Sequence, residues 1–175
     1  MKNTIIFTGD TFLKRKNDEK FSFSSSIKTL FEEAYTVCVN LETVLCSQGE
    51  KIEKAFNIFT NPDAVCELND SNVGIVNLAN NHTYDFGHKG LESTMNALQK
   101  ESLSFIGLKS ANGTVVELEN GIKVGLLGYT NYYGHELAKI NTEIISQDIQ
   151  ILKAKCKYVV VCIHWGEEYV AFPNP

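Results

Sequence analysis

No basic excess is present in this sequence. Its 16 Lys and Arg stand against 21 Asp and Glu, a net charge of -5. A surface that tracks nucleic-acid phosphates needs the opposite balance, so nucleic acid is not expected as the main partner. Long apolar runs are also missing. None approaches the ~20 residues that a membrane helix needs. The start, Met1-Lys2-Asn3-Thr4-Ile5-Ile6-Phe7, does not read as a signal peptide, because its short apolar core gives way to Gly9-Asp10 and a charged stretch. As the chain stands, a cytoplasmic protein is expected; a leader or anchor outside it would place the protein at the cell envelope. Paired cysteines are lacking too. Cys38, Cys46, Cys66, Cys156 and Cys162 are odd in number and form no Cys-x-x-Cys pair. That argues against a disulfide framework and against a thiolate zinc site. Cys38 and Cys162 lie inside apolar runs, where cysteine behaves as a small hydrophobe, so reduced structural thiols are expected. No internal repeat, linker or low-complexity tract breaks the chain, and residues 1–175 read as a single domain.

The residues that are present belong to a globular chain. The sequence is 43% hydrophobic and 21% charged, which argues against disorder. Short apolar runs alternate with helical stretches, the α/β signature. Ile5–Thr8, Thr36–Asn40, Asn72–Leu78, Leu103–Ile106 and Tyr158–Ile163 read as strands. Ile27–Ala34, Ala64–Leu68, His88–Gln99 and Ile140–Ala154 read as helices, the first capped by Ser25 or Ser26. Thr114–Leu118 and Lys123–Leu127 flank an Asn-Gly pair, a strong hairpin signal. Thr43–Ile58 shows no clear period.

Four of the apolar strands run into polar clusters. These are Gly9-Asp10, Asn40-Leu41-Glu42, Asn80-Asn81-His82 and His164-Trp165-Gly166-Glu167-Glu168. Ligands of open α/β sheets bind beyond the carboxyl ends of the strands, so parallel neighbours would bring these groups to one edge. Carboxylate, amide oxygen and imidazole together suit Mn, Fe or Zn. Two such ions about 3.5–4 Å apart could clamp a phosphate or carbonyl and activate water. An adjacent histidine could protonate the leaving group. Each cluster also has a structural reading: a turn or helix cap at Asp10, an exposed loop acid at Glu42, a capped turn at Asn81 to Gly87, a buried aromatic corner at His164.

The set, in this order, resembles the CapA family, the poly-γ-glutamate capsule branch of the calcineurin-like metallophosphoesterases. The resemblance rests on Gly9-Asp10, Asn40-Leu41-Glu42, Asn80-Asn81-His82 with Asp85 and Gly87, and His164-Trp165-Gly166-Glu167-Glu168-Tyr169. Phe59-Thr60-Asn61-Pro62 and Gly128-Tyr129-Thr130 add to it. It implies an α/β fold, a layered metallophosphoesterase-like sheet sandwich with flanking helices. It implies Asp10, Glu42, Asn81 and His164 as metal ligands, His82 as general acid and Asp85 as its orienting partner. Trp165, Glu167, Glu168 and Tyr169 would line the substrate side. Divalent ions, one or two, would be the cofactor, and poly-γ-glutamate or a phosphoester the substrate. The family pattern continues with a Gly-His-x-His-type segment carrying two more ligands. Of the four histidines here, His88 and His135 sit in no such motif and are expected to have no metal role. The fold is therefore expected to be incomplete at the C-terminus, with an open sheet edge suited to self-association. A metal-dependent hydrolase, a non-catalytic polymer-binding or assembly component with Lys14-Arg15-Lys16 as a candidate basic patch, and an inactive fragment lacking the two further histidine ligands all fit.

Overall fold

The computed structural model describes residues 2–14, 20–167 and 170. The elements run β1 (Ile5–Thr11), α1 (Ser25–Glu33), β2 (Thr36–Leu41), β3 (Val44–Leu45) and β4 (Phe59–Thr60). A 3-10 turn over Pro62–Val65 leads into α2 (Cys66–Asn69). Then follow β5 (Val73–Asn77), α3 (Gly87–Lys100), β6 (Ser104–Ile106), β7 (Thr114–Glu117), β8 (Lys123–Thr130), α4 (Thr142–Lys153) and β9 (Tyr158–His164). Local chemistry sets the helix starts. Ser24 accepts from the Ile27 N–H to cap α1, and Asn141 accepts from the Ile144 N–H to cap α4. The cap of α1 thus lies one residue before the pair expected from sequence.

Two sheets form. The first has strand order β1-β2-β5-β6, all parallel. The second is β7-β8-β9, with an antiparallel β7–β8 hairpin and a parallel β8–β9 pair. A small parallel pair, β3–β4, fills the stretch in which the sequence showed no period. Side-chain alternation explains the layers. Val37 and Val39 of β2 face Phe31, Leu68, Leu91 and Leu98 of the helices α1 to α3. Cys38, on the other face of β2, joins Ile75, Ile106, Val124 and Leu126 between the sheets. On the far side, Leu127 and Tyr129 of β8 pack with Leu152, Ile145 and Ile149 of α4. The result is a four-layer α/β/β/α sandwich, the layered fold expected from sequence.

One expectation needs correcting. The polar clusters were expected at one edge of neighbouring parallel strands. Instead β9, which ends in His164, belongs to the second sheet, so the clusters meet across the sandwich. β1 also runs past Thr8 through Asp10, and its register with β2 slips between Phe7 and Asp10. Such an irregularity re-aims the side chain that follows it.

Candidate metal centre

β1, the segment after β2 and β9 deliver Asp10, Glu42 and His164 to one point. One ligand atom from each lies within 4.8 Å of the others. His164 Nε2 is 3.2 Å from Glu42 Oε1, and His164 Nδ1 is 3.5 Å from Asp10 Oδ1. An ion would take one of the two ring nitrogens; around a tetrahedral ion with bonds of about 2.1 Å ligand atoms stand about 3.4 Å apart, and one atom from each residue lies within 4.8 Å of the others, near that spacing. The Glu42 side chain is 6% exposed, whereas that of Asp10 is 51% exposed and faces water. Two carboxylates and an imidazole, one carboxylate buried, form a donor set that a divalent ion neutralises. The three residues therefore fit a metal ion.

An amide relay fixes this cluster from behind. Asn80 Oδ1 accepts from the N–H groups of His82 and Thr83 and from the Thr83 hydroxyl. Its Nδ2 must then point the other way, and it donates to Asn40 Oδ1 and the Leu41 carbonyl. Asn77 Nδ2 donates to the same Asn40 oxygen. With that oxygen taken, Asn40 Nδ2 turns to the cluster. It donates to Asp10 Oδ1 at 2.7 Å and Glu42 Oε1 at 3.2 Å, and lies 3.1 Å from His164 Nδ1. At the strand end, the Thr130 hydroxyl donates to the His164 carbonyl, and the Tyr132 ring sits 5.5 Å from the imidazole.

A second constellation lies across the same opening. His82 Nδ1 is 2.8 Å from Asp85 Oδ2, which leaves Nε2 as the free ring nitrogen. The Asp85 side chain is wholly buried and also accepts from the Ile58 N–H at 2.6 Å and from Lys54 Nζ at 2.7 Å. Lys54 donates in addition to the Asn81 carbonyl at 3.0 Å. A cleft of about 1070 Å³ joins the two groups. Asp10, Glu42, Lys54, Asn81, His82 and His164 line it, with Phe12, Phe56, Tyr132 and Tyr133 as aromatic walls.

The residues singled out from sequence divide as follows. Asp10, Glu42 and His164 meet; His82 and Asp85 form their own pair; Asn81 lines the cleft between them. Trp165 is 54% exposed, and neither it nor Glu167 is among the described residues lining the cleft. Glu168 and Tyr169 lie outside the described residues, as do Arg15 and Lys16. Lys14 stacks over the Phe59 ring. His88 is exposed and pairs with Glu136, and His135 packs on Tyr133, both away from the cluster. Sequence reasoning missed Lys54, which lies in an aperiodic stretch and carries no signal. It also gave Asn40 no role, although its position two residues before Glu42 could have placed it beside the same site.

The sequence model of a family described as bacterial capsule synthesis protein PGA_cap matches residues 4–175. The chain belongs to that family. Among its PGA_cap relatives is the PGA biosynthesis protein CapA of Bacillus subtilis (strain 168). The two are 30% identical over a 164-residue alignment, which covers 85% of this chain and 43% of the relative. The capsule biosynthesis protein CapA of Bacillus anthracis is 29% identical over a 143-residue alignment, which covers 72% of this chain and 35% of the relative. The chain thus spans less than half the length of these curated relatives. A solved structure of a novel phosphatase from Mycoplasma pneumoniae aligns with a TM-score of 0.57 at 19% identity, covering 95% of this chain and 57% of its own. At that identity the likeness speaks for the fold, and the PGA_cap chain has the metallophosphoesterase-like sandwich. Among the described residues no helix is long and apolar enough to cross a membrane.

Proposed function

We propose that this chain carries the metal-binding wall of a hydrolase-type site in a protein of poly-γ-glutamate capsule biosynthesis. The observation that carries the reading is the meeting of Asp10, Glu42 and His164 from two different sheets within 4.8 Å. In this reading these three residues would hold a divalent ion, Mn, Fe or Zn, and Asn81, across the cleft, would serve a second. When bound, the ion contributes Lewis acidity towards a phosphoryl or carbonyl oxygen and a water of lowered pKa. His82 hands a proton from Nε2 to the leaving group, because Asp85 engages its Nδ1. Asp85 and Lys54 hold that ring in orientation. Asn40 keeps the two carboxylates and His164 in register. Phe12, Phe56, Tyr132 and Tyr133 wall the side of the cleft that a substrate would enter. The substrate is a phosphoester or the amide-linked polymer itself.

Hydrolysis of an aryl phosphate ester by the chain, with and without added Mn, tests the reading. Activity should depend on the ion, vanish with a chelator and be lost in Asp10→Ala. Turnover indifferent to chelator ends it. A second reading, polymer binding without turnover, has one observation in its favour. The open cleft is walled by Asp10, Glu42 and Glu53, and the Lys54 that also lines it is engaged by Asp85, so bridging cations would favour entry of a polyanion. Calorimetry with poly-γ-glutamate separates the two readings: cation-dependent binding without hydrolysis selects the second.

A further inference from the structure

Cys38 and Cys162 have no part in the proposed chemistry, yet they stand directly beneath it. Residues two apart on a strand share a face. Asn40 of β2 and His164 of β9 meet across the sandwich, 3.1 Å apart. Two residues back on each strand stand Cys38 and Cys162. They form the next rung of the same ladder between the sheets.

Other observations support that placement. Both side chains belong to the inter-sheet core around Ile75, Ile106 and Leu126. Both line a cavity of about 230 Å³ that also touches Asp10, Asn40 and His164, so a small solute entering beside the metal cluster reaches them. The sheets are also pinched together at this end. Cys162 pairs in register with Gly128, and a Cβ added at Gly128 would lie 2.3 Å from Asn77 Oδ1 and 3.1 Å from the Gly107 backbone. Asn112 Oδ1 clips the pinch by accepting from the N–H groups of both Gly107 and Gly128, at 3.2 and 2.9 Å. Facing sheets ordinarily stand about 10 Å apart. A close approach brings opposed Cβ atoms towards the roughly 3.5–4.5 Å that a disulfide requires.

We propose that Cys38 and Cys162 are an oxidisable dithiol, a redox site that closes to a disulfide behind the metal cluster when a small hydroperoxide reaches it. The first sulfur takes one peroxide oxygen as the O–O bond breaks, and water or an alcohol leaves. The second sulfur displaces that oxygen as water and the S–S bond forms. Two thiols and one hydroperoxide thus give one disulfide, one water and one alcohol (a second water for hydrogen peroxide), with two electrons passing from sulfur to oxygen. The bond ties β2 to β9 and fixes the spacing of Asn40 and His164. The three remaining thiols lie elsewhere: Cys46 packs with Val44 and Phe86, Cys66 lies against Glu101, and Cys156 is buried just after α4, its N–H bonded to the Leu152 carbonyl. The proposal does not rest on the hydrolase reading and survives its failure.

The test is native treatment of the chain with equimolar hydrogen peroxide, followed by intact-mass measurement and peptide mapping. We expect a loss of about 2 Da, a peptide cross-linked through Cys38 and Cys162, and reversal by dithiothreitol. Cys38→Ser and Cys162→Ser should each abolish the cross-link, and Cys66→Ser should retain it. If either serine variant fails to fold, the wild-type peptide map decides alone. Oxidation confined to other cysteines, or five unchanged thiols, overturns the proposal.

Discussion

Lys54 offers the sharpest test of how the cleft is held together. Its ammonium lies 2.7 Å from Asp85 Oδ1, and the two side chains are 23% and 0% exposed. Lys54→Met removes the cation from a carboxylate that water does not reach. Breaking a fully buried ion pair from one side costs about 3–5 kcal/mol. Two features lower that figure here. Lys54 is partly solvated, and the Ile58 N–H and His82 still serve the other Asp85 oxygen. We therefore expect a loss of about 2–3 kcal/mol, nearer the value of one charged hydrogen bond. With a urea slope of about 2 kcal/mol/M, the denaturation midpoint falls by roughly 1–1.5 M. Asp85→Asn removes the charge that Lys54 answers, so the Lys54→Met/Asp85→Asn double variant should be more stable than the sum of the single losses. A double-mutant cycle by urea denaturation should give a coupling of about 1.5–2 kcal/mol. Coupling below about 0.5 kcal/mol would reduce Lys54 to an ordinary surface lysine and refute the reasoning.

Two further perturbations follow from the same geometry. Burial pushes the Glu67 carboxyl up, but Lys28 at 2.8 Å and the donors Phe23 N–H and Ser22 more than offset it, holding the group below its usual range. A carboxyl lowered in the folded state contributes stability above its unfolded pKa of about 4.3, and the contribution is lost as pH falls through the folded value. Glu67→Gln should lower stability by about 1–2 kcal/mol at neutral pH and flatten the acid limb of a stability–pH curve; an unchanged limb contradicts the assignment. Asn40→Leu strips the acceptor from Asn77 and Asn80 and the donor from Asp10 and Glu42. It should lower stability by about 2–4 kcal/mol in urea denaturation, and a neutral outcome would dismiss the amide relay.

Much of the sandwich is legible in the sequence because each layer leaves a period. The apolar run of β2 and the Asn120-Gly121 turn between β7 and β8 announce themselves, and the moieties at the strand ends mark the site. β3 and β4, two residues each, are too short to show alternation, and their pairing depends on a loop that closes only in the fold. The division into two sheets is likewise non-local. Nothing within Tyr158–His164 says that it pairs with β8 rather than extending the first sheet. Asp10, Glu42 and His164 could be picked out by residue type at strand ends, whereas Lys54 could not. Its role comes from meeting a buried aspartate 31 residues away, a contact with no local periodicity behind it.

The central claim is that side chains from two sheets form one cation site. Calorimetric titration of the chain with Mn tests it most directly. Wild type should bind the ion, and Asp10→Asn, Glu42→Gln and His164→Gln should each abolish or sharply weaken the binding, while His88→Gln leaves it unchanged. A wild-type chain that takes up no Mn, or a His88 variant as impaired as the His164 variant, would contradict the account.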